Sequence, residues 1–303
     1  MKKKLAVFLL IVLFMNVFSC RSKQSLSNKT DFYPYTETVE VTRAEQVIRA
    51  LRQAYPDRID IIEYRNDDWA FHMRGTWFYF AGGRILPEHR IEHSANYRSL
   101  QFYNYPEELP PWTPPPPEET ARFNSWTNNR SQNTIARSSY FLDALWQAHS
   151  RAEIESHLVR ITFLGRNARV HRLIHDNLKQ VEAQIRAAAR TNPPVQVWID
   201  SIGTMESWGW RNIADTQARS YHSYGIAIDI LPRNLGGRQT YWLWTSQYRR
   251  DWWNVSYNER YHPPAVVIKI FEASGFVWGG KWPLFDTMHF EYRPEILILN
   301  GLL

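Results

Sequence analysis

The chain has 303 residues, of which 44% are hydrophobic and 15% aromatic, enough apolar material for one large core or two small ones. Its formal charge is +6, and without the three lysines near the amino terminus about +3 remains; so mild a surplus gives no argument for nucleic acid, and no nucleic-acid partner is expected. The single cysteine, Cys20, excludes an intramolecular disulfide and a thiolate metal cluster, so any metal would be held by His, Asp or Glu.

Lys2 to Lys4 precede an apolar run from Leu5 to Phe18, the charged and hydrophobic parts of a secretory leader, too short for a good membrane span. Val17-Phe18-Ser19-Cys20 resembles a bacterial lipobox, in which the cysteine takes the lipid; an ordinary leader with an incidental cysteine is the alternative. We therefore expect a leader over 1–19, lipid attachment at Cys20, and a polar tether over 21–31 that leaves the chain in the bacterial cell envelope, anchored to a membrane.

Thr42-Arg43-Ala44-Glu45 reads as a capping box, with Val47, Ile48, Leu51 and Tyr55 at helical spacing behind it. Three short strands are predicted at 59–64, 69–73 and 76–80, punctuated by Asn66-Asp67-Asp68 and Gly75. Residues 20–104 thus form a small α+β region whose aromatics serve core packing or glycan binding. The prolines from Pro106 to Pro117 predict an extended polyproline II spacer, and 105–135 is read as a linker.

From 136 to 303 helices and strands are mixed rather than alternating, so the fold class is α+β and not doubly wound. A short helix is predicted at 140–148 and a strand at 158–164. Val170, Ile174, Leu178, Val181 and Ile185 carry a longer helix, on which His171 and His175 would share a face. Val195 to Ile199 and Ile226 to Leu231 read as strands.

Two stretches carry chemistry. Ser220-Tyr221-His222-Ser223-Tyr224-Gly225-Ile226-Ala227-Ile228-Asp229 places a carboxylate in an apolar strand, where it needs a cation or an ion-pair partner. Arg219 is the obvious non-metal partner; Gly225 permits a turn that returns His222 toward Asp229. In Asp286-Thr287-Met288-His289-Phe290-Glu291, strand alternation puts His289 and Glu291 on one face, with Asp286 three residues ahead. Two histidines and one aspartate make a zinc site with one open position, and a further carboxylate beside it can move a proton. No H-E-x-x-H, G-x-S-x-G, P-loop or S-x-x-K is present.

These two motifs resemble those of the zinc D-alanyl-D-alanine carboxypeptidase and L-alanyl-D-glutamate endopeptidase family, which shares its fold with Hedgehog signalling domains; the likeness covers roughly 140–303. It implies zinc (Zn2+) ligands at His222, Asp229 and His289, a general base at Asp286, substrate binding at Ser220 and an orienting role for Glu291. Ser207-Trp208-Gly209-Trp210-Arg211-Asn212 is the nearest match to the family's upstream arginine motif, with Trp for Tyr and Asn for Ser, and implies that Arg211 steadies the substrate carbonyl. Asp286, Met288 and Trp278-Gly279-Gly280 are more similar to the endopeptidase branch. The expected substrate is the stem peptide of peptidoglycan. A D-alanyl-D-alanine carboxypeptidase on the same site and a non-catalytic wall-binding lipoprotein are the alternatives.

Overall fold

The computed structural model describes residues 40–129 and 135–303; the leader, Cys20 and the tether lie outside the described residues. Helix α1 (Glu40–Ala54) starts ahead of the expected capping box, so Thr42 falls inside the helix. Its Val47, Ile48 and Leu51 are fully buried, as positions three and four apart on one helical face should be. The three expected strands follow as β1 (Ile59–Arg65), β2 (Asp68–Met73) and β3 (Thr76–Tyr79), with a two-residue β4 (Leu86–Pro87) at the edge of the same sheet. Asn66 and Asp67 turn the first hairpin with positive φ of 49° and 62°, the conformation that a tight two-residue hairpin loop requires.

The proline run behaves as extended chain only up to its last member. Pro117 opens α2 (Pro117–Asn129), because a proline in the first helical turn loses no hydrogen bond and already has a helical φ. The extended part lies against the body: Lys281 donates to the Glu107 carbonyl at 2.7 Å, and Lys269 pairs with Glu108 at 2.7 Å.

Helices α3 (Tyr140–Trp146) and α4 (Arg151–Ser156) lead into a hairpin of β5 (Leu158–Phe163) and β6 (Arg166–His171). This hairpin corrects the reading of one long helix from Val170. Leu164 and Gly165, at φ of 49° and 78°, reverse the chain, and α5 (His175–Ala189) begins only after a short 3₁₀ turn. His171 and His175 therefore share no helical face. Residues 195–199, expected as a strand, lie in α6 (Pro193–Ser201). Two prolines in its first turn initiate the helix and outweigh the β preference of Val195, Val197 and Ile199.

The remaining elements are β7 (Ile202–Glu206), β8 (Ala227–Pro232), α7 (Trp242–Ser246), α8 (Ala265–Ala273), β9 (Phe276–Trp278), β10 (His289–Tyr292) and α9 (Pro294–Leu299). The four strands form an antiparallel sheet in the order β7-β8-β10-β9. The fold is α+β, as the mixed pattern predicts. One face of the sheet is core: Ile228 lies opposite Phe290, and Phe290 stacks on Phe271 of α8 with centroids 4.0 Å apart. Each such buried side chain contributes about 1.5–3 kcal/mol relative to exposure. The amino-terminal elements share this core, since Val47, Ile48 and Phe71 belong to the same buried cluster as Val170, Ile228 and Phe290.

Candidate metal centre

The other face of β8 and β10 carries the site. Antiparallel register sets His289 directly opposite Asp229, although the two are 60 residues apart in sequence, and the imidazole Nδ1 lies 2.7 Å from Asp229 Oδ1. His222 arrives from a 3₁₀ turn, Tyr221–Tyr224, that precedes β8. Ser220 opens that turn with its hydroxyl accepting from the His222 N–H at 3.3 Å, and Gly225 closes it at φ 68°. A Cβ on Gly225 would sit 2.5 Å from Leu158 Cδ2 and 2.8 Å from the His171 nitrogen, so only glycine lets this turn dock on the β5–β6 hairpin. His222 Nε2 then faces Asp229 Oδ2 at 3.3 Å.

The outer nitrogen of each ring is already committed. His222 Nδ1 donates to the Ser207 carbonyl at 2.5 Å, and His289 Nε2 to Glu291 at 3.1 Å. In the neutral tautomers this leaves His222 Nε2 and His289 Nδ1 as lone pairs, both turned on the same carboxylate. Atoms of the three residues lie within 4.8 Å of one another, and all three residues are buried. A cation satisfies this convergence of acceptors. Two imidazole nitrogens and one carboxylate oxygen, with no further protein ligand among the described residues, are the donors of a zinc centre with an open position, and zinc is the cofactor the site fits.

Without the ion, the cluster compensates by proton placement. Burial alone would push Asp229 up, but His222 and His289 hold its carboxyl well below the usual carboxylate range. Burial opposes charge on His289, yet Asp229 and Glu291 on either side raise it well above an ordinary histidine. Glu291 is lowered despite burial, first by its bond from His289 and then by Arg293.

Asp286 enters the same cleft from the segment before β10. Its backbone N–H donates to the Gly279 carbonyl at 2.9 Å, an approach possible because a Cβ on Gly279 would fall 2.5 Å from the Asp286 carbonyl oxygen. A Cβ on Gly280 would lie 2.1 Å from the Trp278 ring, so the Trp-Gly-Gly signature is a packing device that seats Asp286. Its side-chain Oδ1 is buried with no hydrogen-bond partner among the described residues. Burial, followed by the charge of Asp229, pushes its pKa up to about 8. A proton-holding carboxyl with one oxygen unpartnered, beside an acceptor cluster, is what a proton-transfer group requires.

Arg211, Ser220 and Glu291 line this cleft of about 320 Å³ together with the three ligands and Asp286. Arg211 is exposed; the Ser223 hydroxyl pins its backbone, accepting from the Arg211 N–H at 2.9 Å and donating to the Arg211 carbonyl at 2.7 Å. Arg219 is not the partner of Asp229: its guanidinium pairs with Asp143 and donates to the Ala148 carbonyl at 2.9 Å. The other histidines stay apart. His171 is fully buried, faces the Trp146 carbonyl at 3.1 Å, and is depressed to about 3 chiefly by burial, so it is a neutral packing residue. His262 faces the Tyr257 carbonyl at 2.9 Å.

Behind Glu291 lies a buried polar chain that the motifs did not indicate. Arg293 reaches Glu291 at 3.5 Å, pairs with Glu295, and donates to the Tyr221 hydroxyl at 2.6 Å and the Gln101 carbonyl at 2.9 Å. Tyr55, just beyond α1, donates to Glu295 at 2.8 Å. The alternation Glu291-x-Arg293-x-Glu295 was its one visible signal.

In donor set the site is thus that of a zinc centre with a further carboxyl beside it. Residues 214–292 match the profile of a family described as D-alanyl-D-alanine carboxypeptidase, a segment that contains all three ligands, Asp286, Ser220 and Glu291 but begins after Arg211. Residues 47–102 match a domain family of unknown function. No curated protein and no solved structure matches the chain.

Proposed function

We propose that the chain is a zinc-dependent peptidase that hydrolyses amide bonds in the stem peptides of peptidoglycan, acting as an endopeptidase of the L-alanyl-D-glutamate type. The observation that carries this reading is the buried His222–Asp229–His289 cluster sharing one cleft with the Asp286 carboxyl, whose Oδ1 has no partner among the described residues. When bound, zinc supplies Lewis acidity, which raises the acidity of water and polarises a carbonyl. Asp286 accepts the proton of the attacking water and returns it to the leaving amine. Arg211, on the wall of the cleft, stabilises the developing oxyanion. Glu291 keeps His289 in the tautomer that presents Nδ1, and Ser220 holds the turn that presents His222.

A D-alanyl-D-alanine carboxypeptidase is the second reading, favoured by the description of the matched family. Digestion of purified muropeptides followed by mass spectrometry separates the two. The endopeptidase reading predicts fragments cut between the first two stem residues; loss of a terminal alanine alone replaces it with the second. The leader supports a lipid anchor at Cys20 and a place in the cell envelope. Cys20→Ala should move the protein from the membrane to the soluble fraction, and an unchanged distribution would remove the anchor.

A further inference from the structure

Part of the cleft wall comes from chain that no peptidase match covers: Arg98, Ser99, Gln101 and Tyr103, Trp126 of α2, and Arg137. Arg137 stands out as a buried charge. It is only 8% exposed, and its place is set by main chain, since Arg98 N–H donates to the Ala136 carbonyl at 2.9 Å in a parallel bridge between Arg98 and Arg137. Its Nη2 donates to the Arg219 carbonyl, and its guanidinium lies 4.6 Å from the centroid of Tyr221. Two neighbouring arginines have acids: Arg293 pairs with Glu291 and Glu295, and Arg219 with Asp143. Arg137 forms no ion pair within 4.0 Å among the described residues; Glu291 feels its charge from farther off and is itself bonded to His289 and Arg293. A buried guanidinium with no carboxylate in direct contact is costly, and its remaining donors form a fork that matches a carboxylate.

We infer that Arg137 is the specificity residue of the cleft and grips a carboxylate of the substrate, which makes the amino-terminal region, through its bridge to Arg98, a working part of the active site. The inference rests on the peptidase reading. A stem peptide has two carboxylates able to fill this role, the free one on its isoglutamyl residue and the one at its carboxy terminus.

The test uses zinc-loaded full-length protein carrying Asp286→Asn, which binds without turnover, titrated calorimetrically with a synthetic stem tripeptide in three forms: unmodified, amidated at the isoglutamyl carboxylate, and amidated at the carboxy terminus. One of the two amidations should weaken binding about 10- to 100-fold, the worth of a charge-assisted hydrogen-bonded pair. Adding Arg137→Gln should reduce that same ratio to about threefold or less, while Arg137→Lys, which keeps a point charge without the fork, should give an intermediate ratio. The inference is overturned if neither amidation matters with Arg137 in place, or if discrimination persists in full in the Gln and Lys proteins. If none of the three peptides binds to zinc-loaded protein, it is the peptidase reading that fails.

Discussion

Loading the metal-free protein with zinc should release protons, and the count follows from two side chains. His289 lies between Asp229 and Glu291, which hold its pKa well above the ordinary value against the opposing effect of burial; at pH 7 it carries a proton on Nδ1, where the ion must bind. Asp286 sits at about 8, so at pH 7 roughly ten molecules are protonated for each ionised one, a pH unit being a factor of ten. A dication in the cluster displaces the first proton and favours the ionised form of Asp286, releasing the second. Wild-type protein should therefore release roughly two protons per zinc at pH 7, and Asp286→Asn roughly one. Apparent affinity rises with pH in both, more steeply in the wild type until Asp286 has ionised above about pH 8. Isothermal titration calorimetry in buffers of differing ionisation enthalpy counts the protons directly. Equal release from the two proteins would refute the assignment of the second proton to Asp286, and zinc affinity independent of pH would refute the whole scheme.

Three further changes have defined outcomes. Glu291→Ala removes the acceptor that fixes the His289 tautomer and should weaken zinc binding about 10- to 100-fold, measured by competition with a chelator; an unchanged affinity would deny Glu291 its orienting role. Arg293→Met leaves Glu291 and Glu295 buried without their cation and should cost about 3–5 kcal/mol in urea denaturation, whereas a loss below about 1 kcal/mol would mean the chain relaxes around the change. Gly225→Ala forces a Cβ to 2.5 Å from Leu158 Cδ2 at a φ of 68°, and should cost about 1–3 kcal/mol and lower zinc affinity with it; wild-type stability would show that the turn has room.

The centre was legible because its donors are local and its strands obey a period of two. Ile228 and Phe290 on one face, Asp229, His289 and Glu291 on the other, can be read from alternation alone. Partner choice could not be. Arg219 flanks the motif and looked like a partner for Asp229, yet it bonds Asp143, 76 residues away, which frees the carboxylate for the imidazoles. Strand β5 was read at 158–164, but β6 was hidden because Val170, Ile174 and Leu178 keep helical spacing across a strand, a turn and a helix; only the left-handed pair Leu164 and Gly165 betrays the reversal. The helix at α6 was misjudged by weighing β-branched residues above the prolines before them. Tyr55 and Arg137 reach the site through tertiary packing, for which no motif exists.

The central claim, that this cluster is a zinc centre worked by Asp286, is tested most directly by following hydrolysis of a defined stem peptide while zinc is added to metal-free protein. The rate should rise in proportion to zinc up to one equivalent and then level off, and Asp286→Ala should bind the same equivalent without turnover. Fully loaded wild-type protein that cleaves no stem peptide, or hydrolysis that persists in Asp286→Ala or in chelator, would contradict it.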